Sequence, residues 1–221
     1  MASAFSASPL AAREAMIDSQ LKPCGVVSPR TVSAFFAVAR EDFVPQVRRA
    51  LAYVDAPQPL GGGRELLAPL SLGLLVENAA VQPGERALVV GAGTGYSAAI
   101  LAHMGAKVTA LESDSALAEA ARGVLGSNPN IQGVEGPLEG GAPAGAPYDL
   151  ILIDGAVELL PPDLIAQLAE GGRLVAIQHG SDGVSRAARG LKRAGIVPLE
   201  PFGEAAASIL PPFRRAPAFR F

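Results

Sequence analysis

The sequence predicts an α/β protein with a doubly wound, mostly parallel sheet and a helical extension at its N-terminus. Along the C-terminal part of the chain, short apolar runs typical of buried strands alternate with stretches of helical periodicity, which is the pattern of such a sheet. The first of these runs, from Ala87 to Val90, leads into a glycine-rich turn and then into a helical segment that begins at Tyr96. We therefore expect residues 81–221 to form the core and residues 1–80 an N-terminal helical and irregular extension, both within one compact unit.

Local signals divide the extension into two helices, an irregular connection and a third helix. Apolar residues recur at helical spacing over residues 9–21, which predicts the first helix. Ser28 is a typical N-cap and Pro29 a typical first helical residue, so we expect a second helix from there to about residue 40. Helical periodicity returns over residues 66–80, and the prolines and glycines before it predict an irregular connection.

Strands and helices alternate in the predicted core. The apolar runs predict five strands, at residues 86–90, 107–111, 131–135, 148–154 and 173–178. The intervening segments predict helices that begin near residue 96, at a cap formed by Ser113 or Ser115, and at Pro161. Two basic residues followed by Gly195 predict one more helix over residues 182–194. Residues 196–221 should add antiparallel strands at the edge of the sheet.

Composition narrows the class of protein and its partners. The formal net charge of the 221 residues is −3 and no cluster of Lys or Arg stands out, so nucleic acid is not expected as a partner. Cys24 is the only cysteine, which excludes an internal disulfide, argues against a cysteine-rich metal site and is typical of a reducing compartment. No signal peptide and no apolar stretch long enough to cross a membrane is evident, so we expect a cytoplasmic protein.

Three alternate glycines, Gly91, Gly93 and Gly95, follow the first core strand. Glycines let the backbone turn sharply and approach a ligand, and the next helix would point its first amides at a polar group. Glu112 ends the second core strand, where a carboxylate can bind both ribose hydroxyls of an adenosine. Tyr96 stands where a dinucleotide-binding turn has its third glycine, so tight binding of NAD is not expected. The combination resembles the S-adenosylmethionine site of Rossmann-like methyltransferases.

Ligands of doubly wound sheets bind beyond the carboxyl ends of the strands. The predicted cofactor-contacting residues share that edge; they are Gly91, Ala92, Gly93, Gly95, Tyr96, Glu112, Ser113, Pro137, Leu138 and Asp154. Asp154 ends the fourth core strand, where its carboxylate either contacts the cofactor or substrate or caps nearby amides. In some metal-dependent O-methyltransferases the aspartate at this position is a magnesium ligand, but no Asp-Asn pair follows Asp154 at a plausible position here, so we expect no metal.

Four segments of the chain resemble those of protein-L-isoaspartate O-methyltransferases. Residues 40–45 are similar to the family's R-x-x-F-V-P, and residues 52–63 to its A-Y-x-D-x-P-x-P-I-G-x-G. Residues 83–96 are similar to P-G-x-R-V-L-x-I-G-x-G-x-G-Y, and residues 171–175 read G-G-R-L-V as in the family. The resemblance covers nearly the whole length and implies a Rossmann-like S-adenosylmethionine-dependent methyltransferase fold.

The resemblance also implies an activity, which is transfer of the S-adenosylmethionine methyl group to the side-chain carboxylate of an isoaspartyl residue in a damaged protein. A carboxylate is ionised at pH 7 and needs no general base, so catalysis would rest on alignment of the reacting atoms in a dry site. Residues 1–80 would then lie on the substrate side, with Tyr53, Asp55, Leu67 and Pro69 nearest to the substrate.

Two segments depart from the family pattern. The family's T-I-S-x-P is E-L-L-A-P here, so Leu67 stands where the family has a serine that contacts the substrate carboxylate, and no catalytic residue is assigned. Ser71 is the nearest hydroxyl, one helical turn away, and Glu65 would repel an anionic substrate if it faced the site. The family's G-D-G is Gly-Pro137-Leu138 here and lacks the acidic contact near the adenine.

The departure at Leu67 keeps three functions open. An isoaspartate carboxyl methyltransferase is the leading interpretation, with a protein or peptide as its substrate. A methyltransferase with another acceptor is the second, because leucine makes that pocket more apolar than serine does. The third is a cofactor-binding protein without catalysis that acts through its N-terminal segment as an interaction module. The oligomeric state does not follow from the sequence.

Overall fold

Residues 8–215 are described by a computed structural model, and their strands form one large sheet and one small hairpin. The hairpin consists of β1 (Gln58–Gly61) and β2 (Arg64–Leu66). The large sheet consists of β3 (Arg86–Val90), β4 (Lys107–Glu112), β5 (Ile131–Glu135), β6 (Tyr148–Val157), β7 (Leu168–His179), β8 (Ser185–Leu191) and β9 (Glu200–Glu204). Its order is β5-β4-β3-β6-β7-β8-β9, and only β8 and β9 are antiparallel to their neighbours. The predicted doubly wound, mostly parallel sheet is confirmed.

Within residues 8–215, six α-helices flank these strands. They are α1 (Pro9–Met16), α2 (Pro29–Ala37), α3 (Pro69–Ala79), α4 (Tyr96–His103), α5 (Ser115–Leu125) and α6 (Pro162–Gln167). The first helix continues as a π-helical turn over Ile17–Leu21, and Ser28 caps α2 as predicted, accepting from the amide of Thr31. The predicted cap of α5 by Ser113 or Ser115 is wrong. Asp114 is the cap, because its carboxylate accepts from two amides of the first turn of α5.

The predicted helix over residues 182–194 is also wrong, since this segment forms β8. β6 occupies one edge of β7, and without β8 the backbone N–H and C=O groups of the other edge would lack hydrogen-bond partners. β8 pairs with this edge in continuous register from Arg173 to His179 of β7. Lys192, one of the two basic residues expected in the last turn of that helix, instead donates from Nζ to the carbonyls of Ile165 and Leu168. Gly195 adopts a φ of +77° in the turn after β8. The predicted antiparallel addition is confirmed by β9, and residues 216–221 lie outside the described part of the chain.

Two apolar layers cover the sheet. Strand β3 shows this most clearly, because Ala87 and Val89 belong to one buried cluster while Leu88 and Val90 belong to the other. The first cluster also contains side chains of α1, α2 and α3, so the N-terminal part of the chain packs on one face of the sheet. Among the described residues, no helix is both long and apolar enough to cross a membrane.

The neighbours of β3 determine where a ligand crevice opens. Strand β4 lies on one side of β3 and β6 on the other, so the direction of winding reverses at this point. The glycine turn follows β3, Glu112 ends β4, and Asp154 lies three residues before the end of β6, which extends beyond the predicted end at residue 154. This is the topological switch point, where doubly wound sheets bind their ligands.

Candidate functional site

The glycine turn between β3 and α4 is tightly bound to its surroundings. The amides of Gly91 and Ala92 both donate to the carbonyl of Leu111, each across 2.9 Å. Gly91, Gly93 and Gly95 have φ angles of +78°, +56° and +96°, which residues with a side chain rarely adopt. The turn is buried, so its polar groups face protein atoms instead of bulk water.

Glu112 lies directly beside this turn and is 2% exposed. Its Oε2 accepts from the amide of Gly93 at 2.7 Å. Its Oε1 accepts from the amides of Ser113 and Asp114, at 2.8 and 3.0 Å. The structure therefore brings Glu112 to the glycine turn, as the order of strand, turn, helix and strand predicts.

A buried arginine that sequence reasoning missed also contacts Glu112. Arg64 begins β2, and its Nη1 lies 3.1 Å from Oε1 of Glu112 while its Nη2 donates to the carbonyl of Gly91 at 2.6 Å. The two side chains of this ion pair are 7% and 2% exposed. The only signal for Arg64 in the sequence was its position as a basic residue directly after three glycines.

Asp154 lies near the carboxyl end of β6, inside the strand. Its Oδ2 accepts from Ser97 Oγ at 2.5 Å, whereas Oδ1 is buried and has no partner among the described residues. The pairing of β6 with β7 is irregular between Leu152 and Ala156, which takes Asp154 out of the regular ladder. Burial raises the pKa of Asp154 to about 6, although the Ser97 hydrogen bond and nearby arginines oppose that shift.

Arg40 is a second arginine that sequence reasoning did not place in the site. It is fully buried and donates from Nε to the carbonyl of Ala52 and from Nη2 to the carbonyl of Leu67, each across 2.6 Å. Its guanidinium carbon lies 5.2 Å from the ring centroid of Tyr96. Burial lowers the pKa of Arg40, and burial raises that of Tyr96 to about 12. Arg40 thus holds the backbone at Leu67 beside the glycine turn.

The predicted substrate-side residues lie in two places. The Leu67 side chain is 1% exposed and packs in the core cluster, and Pro69 is the buried first residue of α3. Asp55 Oδ1 accepts from the amide of Leu70 at 3.1 Å, so it caps the start of α3 from outside the helix. Tyr53 lies elsewhere. Its hydroxyl accepts from Arg13 of α1 and donates to Glu41, which follows α2.

Two polar residues near Leu67 are bound to the C-terminal segment. Ser71 Oγ donates to the carbonyl of Ala206 at 3.3 Å. Glu65 Oε1 accepts from the amide of Ser208 at 2.6 Å. The nearest hydroxyl and the nearest carboxylate to Leu67 in sequence thus both bind the segment that follows β9.

The remaining predicted residues follow β4 and β5. Ser113 and Pro137 are exposed, whereas Leu138 is 1% exposed and belongs to the second core cluster. The amide of Gly136 donates to the backbone carbonyl of Glu112 at 3.0 Å, which places these two strand ends side by side. No group of three or more His, Cys, Asp or Glu side chains within residues 8–215 is arranged to hold a metal ion.

The chain is similar to known proteins over most of its length. The family model for protein-L-isoaspartate(D-aspartate) O-methyltransferase matches residues 11–193. A protein-L-isoaspartate O-methyltransferase of Methylorubrum populi is 45% identical over 168 residues, which are 75% of this chain and 78% of that protein. One from Methanoregula boonei is 39% identical over 165 residues, covering 74% of this chain and 76% of that protein.

Solved structures agree as well. A structure of a protein-L-isoaspartate O-methyltransferase superposes with a TM-score of 0.76 at 25% identity, covering 90% of this chain and 65% of that chain. A second, from Plasmodium falciparum and solved with S-adenosyl-L-homocysteine, has a TM-score of 0.73 at 20% identity and covers 90% of this chain and 97% of its own, which shows a shared fold. The extent of these matches shows that the chain belongs to the protein-L-isoaspartate(D-aspartate) O-methyltransferase family.

Proposed function

We propose that this protein is an S-adenosylmethionine-dependent O-methyltransferase that methylates the side-chain carboxylate of isoaspartyl residues in proteins. The observation that carries the proposal is the family match over residues 11–193. The position of Glu112 against the glycine turn at the switch point of the sheet supports it. Glu112 and the glycine turn belong to the part of the chain that would bind the methyl donor.

The hydrogen-bond acceptors at the switch point fit the chemistry of S-adenosylmethionine. S-adenosylmethionine supplies an activated methyl group on a sulfonium and carries a cationic ammonium and two ribose hydroxyls, all of which favour acceptors or negative charge. The residues present are the carboxylate of Glu112, the carbonyl of Gly91 and the carboxylate of Asp154, whose Oδ1 is buried without a partner in the described chain. Glu112 would bind the ribose, and Asp154 would face the cationic end.

The substrate side would contribute mainly by positioning. An isoaspartyl carboxylate is ionised at pH 7, so no side chain has to remove a proton from it. Arg40 holds the carbonyl of Leu67 at 2.6 Å and thereby holds the backbone where the family has its serine. Leu67 offers no hydroxyl to the acceptor, so backbone groups and shape would have to align it. We therefore expect a low rate with isoaspartyl peptides.

Methyl transfer from labelled S-adenosylmethionine tests the proposal directly. The purified protein should label a peptide that contains one isoaspartyl residue and should leave the same peptide with an ordinary aspartyl residue unlabelled. The matched aspartyl peptide controls for non-specific carboxyl methylation. Equal labelling of both peptides would contradict the proposed specificity. Binding of S-adenosylmethionine without transfer to either peptide would favour a cofactor-binding protein without this activity.

A further inference from the structure

We propose that Arg64 occupies the cofactor site as an internal competitor, and that S-adenosylmethionine binds only after its guanidinium has left Glu112 and Gly91. This inference rests on the proposed function, because it concerns control of the same site. The geometry that carries it is the buried contact of one guanidinium with both cofactor-binding acceptors, at 3.1 Å from Glu112 Oε1 and 2.6 Å from the Gly91 carbonyl.

Oε1 of Glu112 has no acceptor position to spare while Arg64 is bound. A carboxylate offers about four lone-pair positions to donors, divided equally between its two oxygens. Oε1 already accepts from the amides of Ser113 and Asp114 as well as from Arg64 Nη1, whereas Oε2 accepts only from the amide of Gly93. The amides belong to the turns around the strand ends, so the guanidinium is the donor that a ribose hydroxyl can replace at Oε1.

Space and charge also prevent Arg64 and the cofactor from binding together. The Arg64 side chain lies so close to the turn that a Cβ atom added to Gly91 would stand 2.7 Å from its Nη2. S-adenosylmethionine carries a sulfonium and an ammonium, and a third positive charge in a buried site would repel both. The guanidinium therefore substitutes for the cofactor, supplying the same kind of donor to the same acceptors.

Three consecutive glycines precede Arg64 and supply the backbone freedom that its release would need. Gly61, Gly62 and Gly63 adopt φ angles of +102°, +56° and +72°, and they are exposed. Leu60 packs over the turn, since a Cβ on Gly93 would meet its Cδ1 at 3.0 Å. Rotation about the backbone dihedral angles of these three glycines can move Arg64 out of the site. The start of β1 and the end of β2, which face the core, can then stay in place.

Calorimetric titration of S-adenosylmethionine and S-adenosylhomocysteine into wild type and Arg64→Gln tests this proposal. Arg64→Gln removes the charge and should bind both ligands about ten- to hundredfold more tightly, since they no longer displace a charge-assisted hydrogen bond. Arg173→Gln is the matched control. Arg173 also pairs with a glutamate, Glu85, and bonds a backbone carbonyl, that of Ala79, but it lies at the opposite end of the strands. Its removal should leave both affinities unchanged.

Each outcome bears on one of the two proposals. Affinity that is equal or weaker in Arg64→Gln than in wild type would overturn the role of Arg64 while the proposed function stands. Absence of binding in all three proteins at millimolar ligand would overturn the proposed function, and the role of Arg64 with it.

Discussion

Ser97 donates a hydrogen bond of 2.5 Å to Asp154, joining the first turn of α4 to the C-terminal half of β6. The bond satisfies only Oδ2, and the buried Oδ1 has no partner among residues 8–215. Buried polar atoms are usually hydrogen-bonded, so an unpaired carboxylate oxygen at the switch point lowers the free energy of unfolding. Such positions occur at binding sites, where a ligand completes the bonding.

Asp154→Asn should stabilise the protein at neutral pH. Burial raises the pKa of Asp154 to about 6, above its value near 3.8 in the unfolded chain, so folding takes up a proton between these values. Stability from this group is therefore lost as pH rises from about 4 to about 6 and stays lost above that. The asparagine variant should be more stable by about 2–3 kcal/mol at pH 7.5 and by little at pH 4. Urea unfolding at both pH values measures the difference.

The exposed Asp163 provides the control for this prediction. Asp163→Asn should change the free energy of unfolding by no more than about 0.5 kcal/mol at pH 7.5, because the side chain is exposed. A loss of stability in Asp154→Asn that is the same at pH 4 and pH 7.5 would contradict a buried charge at Asp154.

Glu112→Gln should destabilise the protein by about 3–5 kcal/mol, because it leaves the buried guanidinium of Arg64 without a counter-charge. Adding Arg64→Gln should recover much of that loss, so the two substitutions should be strongly non-additive. Chemical denaturation of the two single variants and the double variant gives the coupling energy. The exposed pair of Arg122 and Glu119 is the comparison, and its coupling should stay below about 1 kcal/mol. Additive effects at Arg64 and Glu112 would show that they do not form a buried pair.

Arg40→Met should lower the free energy of unfolding by about 2–5 kcal/mol. The substitution keeps an apolar chain of similar length but removes the donors to the buried carbonyls of Ala52 and Leu67. Arg30→Met is the control, because Arg30 is exposed although it also donates to a carbonyl, that of Val81. Thermal unfolding should show a clear fall in midpoint for the first variant and a small one for the second. Similar midpoints would mean that the Arg40 bonds add little to stability.

Leu67→Ser should raise the rate of isoaspartate methylation and lower stability. A hydrogen bond to a carboxylate contributes about 1.5–3 kcal/mol, which corresponds to a rise of about ten- to more than a hundredfold if it acts in the transition state. The same substitution removes a side chain that is 1% exposed, at a cost of about 2–5 kcal/mol of stability. Labelled methyl transfer to an isoaspartyl peptide, at a temperature where the variant is folded, measures the rate.

Leu72→Ser is the matched variant, since Leu72 belongs to the same buried cluster but to the interior of α3. It should lose stability without gaining activity. If wild type is already fast and Leu67→Ser leaves the rate unchanged, the family's serine is dispensable or does not align with Leu67.

Local patterns predicted the centre of the fold well. An apolar run, three alternate glycines and a helical segment specify a strand, a turn and a helix through neighbouring residues, and the structure has β3, the turn and α4 at these positions. The error at residues 182–194 has the opposite cause. Their helical signals were local, but the segment became β8 because the edge of β7 needs a hydrogen-bonding partner.

The amino-acid sequence by itself determined which residues begin and end most elements, and it placed Glu112 at the end of a strand beside a glycine turn. Tertiary structure alone decided which charges meet there. Arg64 and Glu112 are 48 residues apart in the chain, and Arg40 reaches carbonyls 12 and 27 residues away. Strand and helix signals act between residues that are close in sequence, whereas an ion pair depends on which distant segments packing brings together and on how deeply it buries them.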